Sequence, residues 1–204
     1  MPLALTHTWR RLRYGAPIVV VSGLPRSGTS MAMKMLEAGG LPILTDGLRT
    51  ADEDNPKGYF EVERVKELER QADKSWLGEA RGRAIKVISF LLKELPESFN
   101  YKVVFMRREL SEVLASQAKM LAHRGEAAST DDARMLDLWE SHLWRATYLL
   151  RHAGHFESID VEYRQALADP RREAQRINAF LGGRLSVEAM LGAVDEALYR
   201  NRAG

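Results

Sequence analysis

Short apolar runs recur along the chain, and longer stretches with helical spacing separate them. Runs rich in Val and Ile lie at residues 18–21, 83–88 and 102–106, and a shorter one lies at 158–161. Runs of this length, bounded by glycine or charged residues, are typical of buried β-strands. The pattern therefore predicts four strands.

Helical spacing fills the intervals between the predicted strands. A helix over 27–38 is predicted to end at Gly39 and Gly40, because glycine commonly terminates helices. Pro170 is placed to open another helix, since proline fits the first helical turn. The helix that Pro170 opens is predicted to span 170–181. Further helices are predicted over 61–76 and 186–199, and two more are predicted to begin near residues 90 and 111.

The longest helix is predicted to begin just after residue 130. Ser129 or Thr130, followed by two aspartates, supplies an N-cap signal there. The apolar positions that follow recur with a period of 3.6 residues. We expect these positions to face the core: Leu136, Trp139, Leu143, Ala146 and Leu150.

Strands and helices alternate from residue 18 onward, as in βαβ units. This order predicts the α/β class, with a mostly parallel central sheet between two helical layers. We expect one domain, residues 1–204, because no linker or repeat divides the chain. In such folds ligands bind beyond the carboxyl ends of the strands. The long connection 41–59, rich in acidic residues, is a candidate functional loop.

The distribution of charge is more informative than its sum. The 204 residues include 30 Lys and Arg against 28 Asp and Glu, and the formal net charge of +2 argues against a nucleic-acid-binding surface. The first 36 residues, however, carry five basic side chains and no acidic one. This asymmetry predicts an anion site in the N-terminal third.

The chain has no cysteine, which excludes disulfides, thiolate zinc sites and a cysteine nucleophile. No apolar run is long enough to span a bilayer. We therefore expect a cytoplasmic protein, although the Arg-rich N-terminus also resembles an organelle transit peptide. The histidines lack a metal-ligand spacing, and we expect four of them at the surface: His123, His142, His152 and His155.

Two glycines after the first predicted strand have the spacing of a phosphate-binding loop. The segment Gly23-Leu-Pro-Arg-Ser-Gly-Thr-Ser30 matches G-x-x-x-x-G followed by hydroxyl residues. Helix N–H groups, the helix dipole and the Arg26 guanidinium would favour an oxyanion there. A nucleoside triphosphatase would carry lysine in place of Thr29, and no strand ends in a magnesium-binding aspartate, so we expect no metal. The alternative is a glycine-rich turn without a ligand.

The sequence Pro-Arg-Ser-Gly-Thr resembles the loop of sulfotransferases that use PAPS (3′-phosphoadenosine 5′-phosphosulfate), especially their bacterial and tyrosylprotein branches. That family carries lysine or arginine at the position of Arg26. The resemblance implies a P-loop NTPase-like topology and a loop that binds the 5′-phosphosulfate. The implied donor-binding residues are Pro25, Arg26, Ser27, Gly28, Thr29 and Ser30.

A second segment adds to this resemblance. The family binds the 3′-phosphate with an arginine at a strand end and a serine eight residues later, and Arg108 and Ser116 have that spacing. On their own, Arg108 would be a surface charge and Ser116 an ordinary helix residue. The resemblance implies instead that both bind one phosphate.

The resemblance also implies catalytic residues. Lys86 is similar to the family lysine that meets the reacting group, and the alternative is a surface lysine at a strand end. Ile88 replaces the histidine base of cytosolic sulfotransferases. Tyrosylprotein enzymes use a glutamate about twenty residues after the loop arginine, which leads here to Asp46, with Glu61 ranked second. Asp46 and the glycine after it also fit a simple turn.

The implied reaction moves a sulfuryl group from PAPS to a hydroxyl or amine by in-line displacement and releases adenosine 3′,5′-bisphosphate (PAP). The acceptor would be a small molecule, carbohydrate or peptide, without nucleic acid or a membrane span, and an oligomer is possible. A nucleotide-binding module without catalysis and, less favoured, a small-molecule kinase stay open. Met31 replaces the tryptophan that stacks on adenine in cytosolic members, and Arg200 and Arg202 are either phosphate ligands or tail charges.

Overall fold

A computed structural model of the chain describes residues 3–46, 60–123, 125 and 132–194. Its strands within these ranges are β1 Ile18–Gly23, β2 Ala84–Lys86, β3 Tyr101–Arg107 and β4 Phe156–Glu162. They form one sheet in the order β2-β1-β3-β4, and every neighbouring pair is parallel. The four strands predicted from the apolar runs are confirmed.

Helices connect the strands and flank the sheet. Two short 3-10 helices, Ser75–Ala80 and Ser89–Glu94, lie on either side of β2. The α-helices of the described ranges are α1 Leu3–Tyr14, α2 Thr29–Ala38, α3 Glu63–Lys66, α4 Leu110–His123, α5 Asp132–His152, α6 Tyr163–Ala168, α7 Pro170–Leu181 and α8 Val187–Gly192.

The sheet separates two hydrophobic cores. Successive residues of β1 point to opposite faces, as the pleat of a strand requires. Val20 packs in the core that contains Leu150 of α5, whereas Val21 packs in the core that contains Leu36 of α2. Helices α6, α7 and α8 share the second core with α2. The predicted three-layer α/β arrangement is confirmed.

The segment after residue 60 departs from its prediction. The charged pattern over 61–76 predicted one helix, but only the single turn α3 is α-helical. Gln71 Nε2 donates to the Arg64 carbonyl oxygen at 2.9 Å, and Trp76 Nε1 donates to Gln71 at 2.8 Å. Asp73 accepts the Ser75 N–H at 2.8 Å. These side-chain bonds replace helical ones, so the chain turns.

Most other helix predictions are confirmed. Helix α7 spans the predicted residues, and Asp169 caps it by accepting the Arg172 N–H at 3.1 Å. On α5, Trp139, Ala146 and Leu150 are buried and the other two predicted core positions are half-buried. The proposed caps at 129 and 130, and residues 195–199 of the last predicted helix, lie outside the described residues.

Helix α1 was not predicted, and it packs at the amino end of the sheet. Arg10 donates through Nε to Asn100 Oδ1 at 3.2 Å and through a terminal nitrogen to the Phe99 carbonyl at 3.0 Å. Asn100 directly precedes β3, so this arginine lies at the edge opposite the phosphate-type loop. Among the described helices, none is long and apolar enough to cross a membrane.

Candidate active site at the carboxyl edge of the sheet

The loop after β1 depends on both of its glycines. Gly23 has φ 149°, and a Cβ there would lie 2.6 Å from the Met106 carbonyl oxygen. Gly28 has φ 98°, and a Cβ would lie 2.4 Å from the Tyr163 ring. Arg26 has φ 68°, the positive φ found at a non-glycine residue of the described chain. Such strain is typical of functional loops.

The hydroxyl of Ser27 forms a hydrogen bond within the loop itself. Its Oγ donates to the Leu24 carbonyl oxygen at 2.7 Å, and its N–H donates to the same oxygen at 3.2 Å. Both bonds close the turn, and the Ser27 side chain is buried. Helix α2 then begins at Thr29, so the first helical N–H groups and the positive end of the helix dipole face the carboxyl edge.

The structure brings the two predicted anion-binding segments together. Arg26 Nε donates to Ser116 Oγ at 3.0 Å. Arg108 in turn donates through a terminal nitrogen to the Arg26 carbonyl oxygen at 3.0 Å. Arg26, Arg108 and Ser116 therefore form one hydrogen-bonded group, although they come from two separate strand-to-helix connections.

Arg108 is held on three sides and is 7% exposed. Besides its bond to the loop, its Nε donates to Glu112 Oε2 at 2.9 Å. Its guanidinium carbon lies 4.6 Å from the centre of the Tyr163 ring. The Glu112 side chain is buried at 1% exposure, which requires compensating cations.

A cleft of about 220 Å³ opens beside this group. Leu24 and Ser27 line it on the loop side, and Arg108 and Glu162 line it on the side of β3 and β4. Desolvation raises the pKa of Glu162 above its ordinary value, although Arg107 opposes the shift. The volume lies below the usual range for sites that enclose a drug-sized ligand.

Lys86 lies at the same edge, on the other side of β1. It pairs with Val21 in the parallel register, and the Val87 N–H donates to the Val21 carbonyl oxygen at 3.0 Å. The Lys86 side chain is 12% exposed, and its Nζ lies 3.5 Å from Glu61 Oε1. The predicted catalytic lysine is therefore next to the second-ranked candidate base.

The first-ranked candidate base, Asp46, lies close to Glu61 but makes a different contact. Its Oδ2 accepts the Glu63 N–H at 2.6 Å at the start of α3. Ile43 forms a parallel bridge with Ala84, which brings this segment to the carboxyl edge. The Thr45 hydroxyl and the Asp46 N–H both donate to the Glu61 carbonyl oxygen, at 3.1 and 3.4 Å.

Sequence reasoning misplaced two histidines. His142 was expected at the surface, but its Nε2 lies 2.8 Å from Ser89 Oγ and its ring stacks on Phe90. Burial lowers the pKa of His142 below its ordinary value, and Arg145 lowers it further. His155 is buried beside Tyr101 at the opposite edge of the sheet. The sequence pattern around these two histidines does not predict that their side chains are covered by other residues.

The remaining predicted residues lie at varied depths. Pro25 and Ser30 are half-buried, Thr29 is buried, and Met31 is half-buried against the core under α2. Arg200 and Arg202 lie outside the described residues. Within the described ranges, no group of three acidic or histidine side chains is arranged to hold a metal ion.

Solved structures with a similar fold are sulfotransferases. STF1 from Mycobacterium tuberculosis is 18% identical with a TM-score of 0.59, covering 96% of this chain and 78% of that chain. The sulfotransferase domain of the Synechococcus PCC 7002 olefin synthase is 20% identical with a TM-score of 0.53, covering 92% and 78%. The domain from the curacin biosynthetic pathway is 12% identical with a TM-score of 0.51, covering 88% and 78%. These similarities confirm the predicted P-loop NTPase-like fold.

A sequence model described as the sulfotransferase family matches residues 57–186. The matched segment contains Lys86, Arg108 and Ser116, and it begins after the loop that carries Arg26. A comparison with curated proteins found no match. Because the family match spans well over half of the 204 residues, the chain belongs to the sulfotransferase family and is a sulfotransferase.

Proposed function

We propose that this sulfotransferase uses PAPS as its donor and transfers the sulfuryl group to a hydroxyl or amine acceptor, with PAP as the second product. The observation that carries the proposal is the hydrogen-bonded group of Arg26, Arg108 and Ser116. PAPS carries anions at both ends of one nucleoside. Two cationic segments that meet at one edge of the sheet have the arrangement that such a molecule requires.

The loop would bind the 5′-phosphosulfate. Thr29 and Ser30 provide the first N–H groups of α2, and Arg26 provides a guanidinium that acts on developing negative charge. Ser27 contributes through the turn that its hydroxyl closes rather than through a side-chain contact. Pro25 and Gly28 shape the backbone around these donors, as the close packing of Gly28 on the Tyr163 ring suggests.

Arg108 and Ser116 would bind the 3′-phosphate. The Arg108 guanidinium is already oriented by Glu112 and by the carbonyl oxygen of Arg26. Ser116 is buried on α4, and its hydroxyl accepts a hydrogen bond from Arg26. A charged donor fixed before the ligand arrives loses little conformational entropy on binding, so this arrangement favours affinity for a second phosphate.

PAPS supplies a sulfuryl group attached to a phosphate leaving group. In the transfer, the bond from sulfur to the phosphate oxygen breaks, a bond from sulfur to the acceptor oxygen or nitrogen forms, and the acceptor loses a proton. Lys86 and Arg26 would stabilise the charge on the leaving oxygen. Glu61 would accept the proton, because its carboxylate lies beside Lys86 whereas the Asp46 carboxylate caps α3.

The proposal extends to the setting of the enzyme. We infer one domain over residues 1–204, a cytoplasmic location in keeping with the cysteine-free composition, and a small molecule, carbohydrate or peptide as the acceptor. The connection 41–59 carries two prolines, two glycines and four acidic residues, and it contains Asp46 and ends just before Glu61. We propose that it contributes to the choice of acceptor.

Thermal unfolding in the presence of nucleotides tests the donor class without knowledge of the acceptor. PAP should raise the unfolding temperature, because a ligand that binds the folded form stabilises it, and ATP with magnesium should raise it much less. Sulfuryl transfer from labelled PAPS to a panel of phenols, sugars and peptides then tests catalysis. Stabilisation by ATP alone, with magnesium-dependent ATP turnover, would contradict the proposal.

A further inference from the structure

A second arginine contacts the carboxylate that orients Arg108. Arg164 lies at the start of α6, and both its Nε and one terminal nitrogen lie 2.9 Å from Glu112 Oε1. The other oxygen of the same carboxylate accepts from Arg108. Glu112 thus joins two guanidinium groups, one on each of its carboxylate oxygens, and Arg108 of this group also lines the cleft.

The three side chains differ in depth. Glu112 is 1% exposed and Arg108 is 7% exposed, whereas Arg164 is 53% exposed. One arginine is enough to neutralise a buried carboxylate. Two arginines and one carboxylate give these three side chains a formal charge of +1, and the exposed part of the group is the Arg164 side chain.

Arg164 is also tied to the loop through its neighbour in sequence. Tyr163 lies under the Arg108 guanidinium, and its ring occupies the space that a side chain at Gly28 would need. The start of α6 is therefore packed against the phosphate-type loop. The backbone of Arg164 is therefore next to the ring on which Arg108 rests.

We infer that Arg164 is a further ligand for the 3′-phosphate of the nucleotide, acting with Arg108, and that Glu112 is the positioning residue that holds the two guanidinium groups side by side. This inference rests on the proposed use of PAPS. A phosphate matches two arginines through several charge-assisted hydrogen bonds, as a carboxylate does. The added cation makes the site selective for nucleotides that carry a 3′-phosphate.

The test compares two nucleotides that differ only in that phosphate. Calorimetric titration of PAP and of adenosine 5′-monophosphate is carried out on the parent chain, Arg164→Ala, Arg164→Lys and Arg171→Ala. Arg171 is a matched control, because it is 54% exposed and pairs with Glu188 away from the cleft. Arg164→Ala should weaken PAP binding about ten-fold and leave monophosphate binding within about two-fold. Arg164→Lys should fall between the parent and the alanine variant.

The outcomes separate this inference from the proposed function. If the parent binds PAP tightly and Arg164→Ala keeps the parent's ratio of the two affinities, Arg164 serves only to neutralise Glu112 and the inference is wrong, while the donor proposal stands. If the parent does not prefer PAP to the monophosphate, both are wrong. Unfolding temperatures show whether Arg164→Ala has a folding defect. If it does, the ratio of the affinities for PAP and the monophosphate in Arg164→Lys tests the inference instead, because lysine keeps the charge beside Glu112.

Discussion

Arg108 and Lys86 are both cations at the carboxyl edge of the sheet, yet they are held in different ways. Arg108 is almost fully buried and contacts a carboxylate, a carbonyl oxygen and an aromatic ring. Lys86 has a longer contact of 3.5 Å with Glu61, whose side chain is 21% exposed. Beyond Glu61, Asp46 is exposed.

In the proposed mechanism, the two sides of the site would have different tasks. On the donor side, defined by Arg26, Arg108, Glu112 and Ser116, burial makes every lost partner costly, so the geometry is fixed before a ligand binds. On the acceptor side, defined by Asp46, Glu61 and Lys86, water can replace a partner. In the proposed mechanism, the donor site would therefore be fixed and the acceptor site adjustable.

The largest effect is expected at Arg26, where the donor side meets the chemistry. Arg26→Ala should lower kcat by about 10³-fold or more, because it removes a preorganised cation from the developing charge. Arg26→Lys should retain part of the rate, since it keeps a cation at that position. Steady-state kinetics with labelled PAPS measures both. An alanine variant with parental kcat would remove Arg26 from the mechanism.

The next largest effect is expected at the proposed base, and it distinguishes the roles of Glu61 and Asp46 on the acceptor side. Glu61→Gln should lower kcat by about 10²-fold, a typical contribution of general base catalysis. Asp46→Asn should change kcat only a few-fold, because its carboxylate caps α3. The two variants are a matched pair, as each replaces a carboxylate by its amide. If Asp46→Asn lowered kcat more than Glu61→Gln, Asp46 would be the better candidate for the base.

A smaller and different effect is expected at Arg108. Arg108→Lys should raise the KM for PAPS about ten-fold while kcat changes little, because lysine keeps the charge but cannot bridge Glu112 and the loop carbonyl with one planar group. Arg176→Lys is the control, since Arg176 also pairs with a buried glutamate, Glu173, but does not line the cleft. Equal KM changes in both variants would contradict a specific role for Arg108.

The smallest effect concerns pH, and it is expected at His142, which belongs to neither side of the site. The pKa of His142, beside Ser89 after β2, is lowered by burial, so the unfolded chain binds a proton more readily. The contribution of His142 to stability should therefore be complete above about pH 6.5 and decline as pH falls toward its lowered pKa. Urea unfolding between pH 7.5 and about pH 5 should show a shallower decline for His142→Asn. Identical slopes would exclude this coupling.

Arg26, Arg108 and Ser116 of the donor side could be predicted from the sequence because the motifs that resemble those of sulfotransferases are local, whereas Glu112 was not predicted. The loop is one strand-to-helix turn, and Arg108 and Ser116 lie two helical turns apart on the next such connection. Parallel strands bring both connections to one edge, so a correct sheet was enough to place them together. Arg108 contacts the loop through the carbonyl oxygen of Arg26, a residue with a positive φ. Arginine rarely adopts a positive φ, so the sequence did not predict this contact.

The acceptor side and Arg164 were harder to predict because their contacts join distant segments. Glu61 meets Lys86 across 25 positions, and Arg164 meets Glu112 across 52. The segment from 61 to 76 has helical spacing, but side-chain bonds such as those of Gln71 turn it instead. Tertiary packing, rather than local preference, decides each of these contacts.

The left-handed backbone at Arg26 also bears on how the protein can be engineered. Glycine would adopt this conformation at no steric cost, whereas a side chain there costs about 1 kcal/mol of folding free energy. Arg26→Gly would relieve that strain, but it would also leave buried Ser116 without its bond from Arg26 and give the unfolded chain more backbone freedom, so the substitution should not stabilise the protein. Stabilised variants of this protein should therefore be sought among positions remote from residue 26.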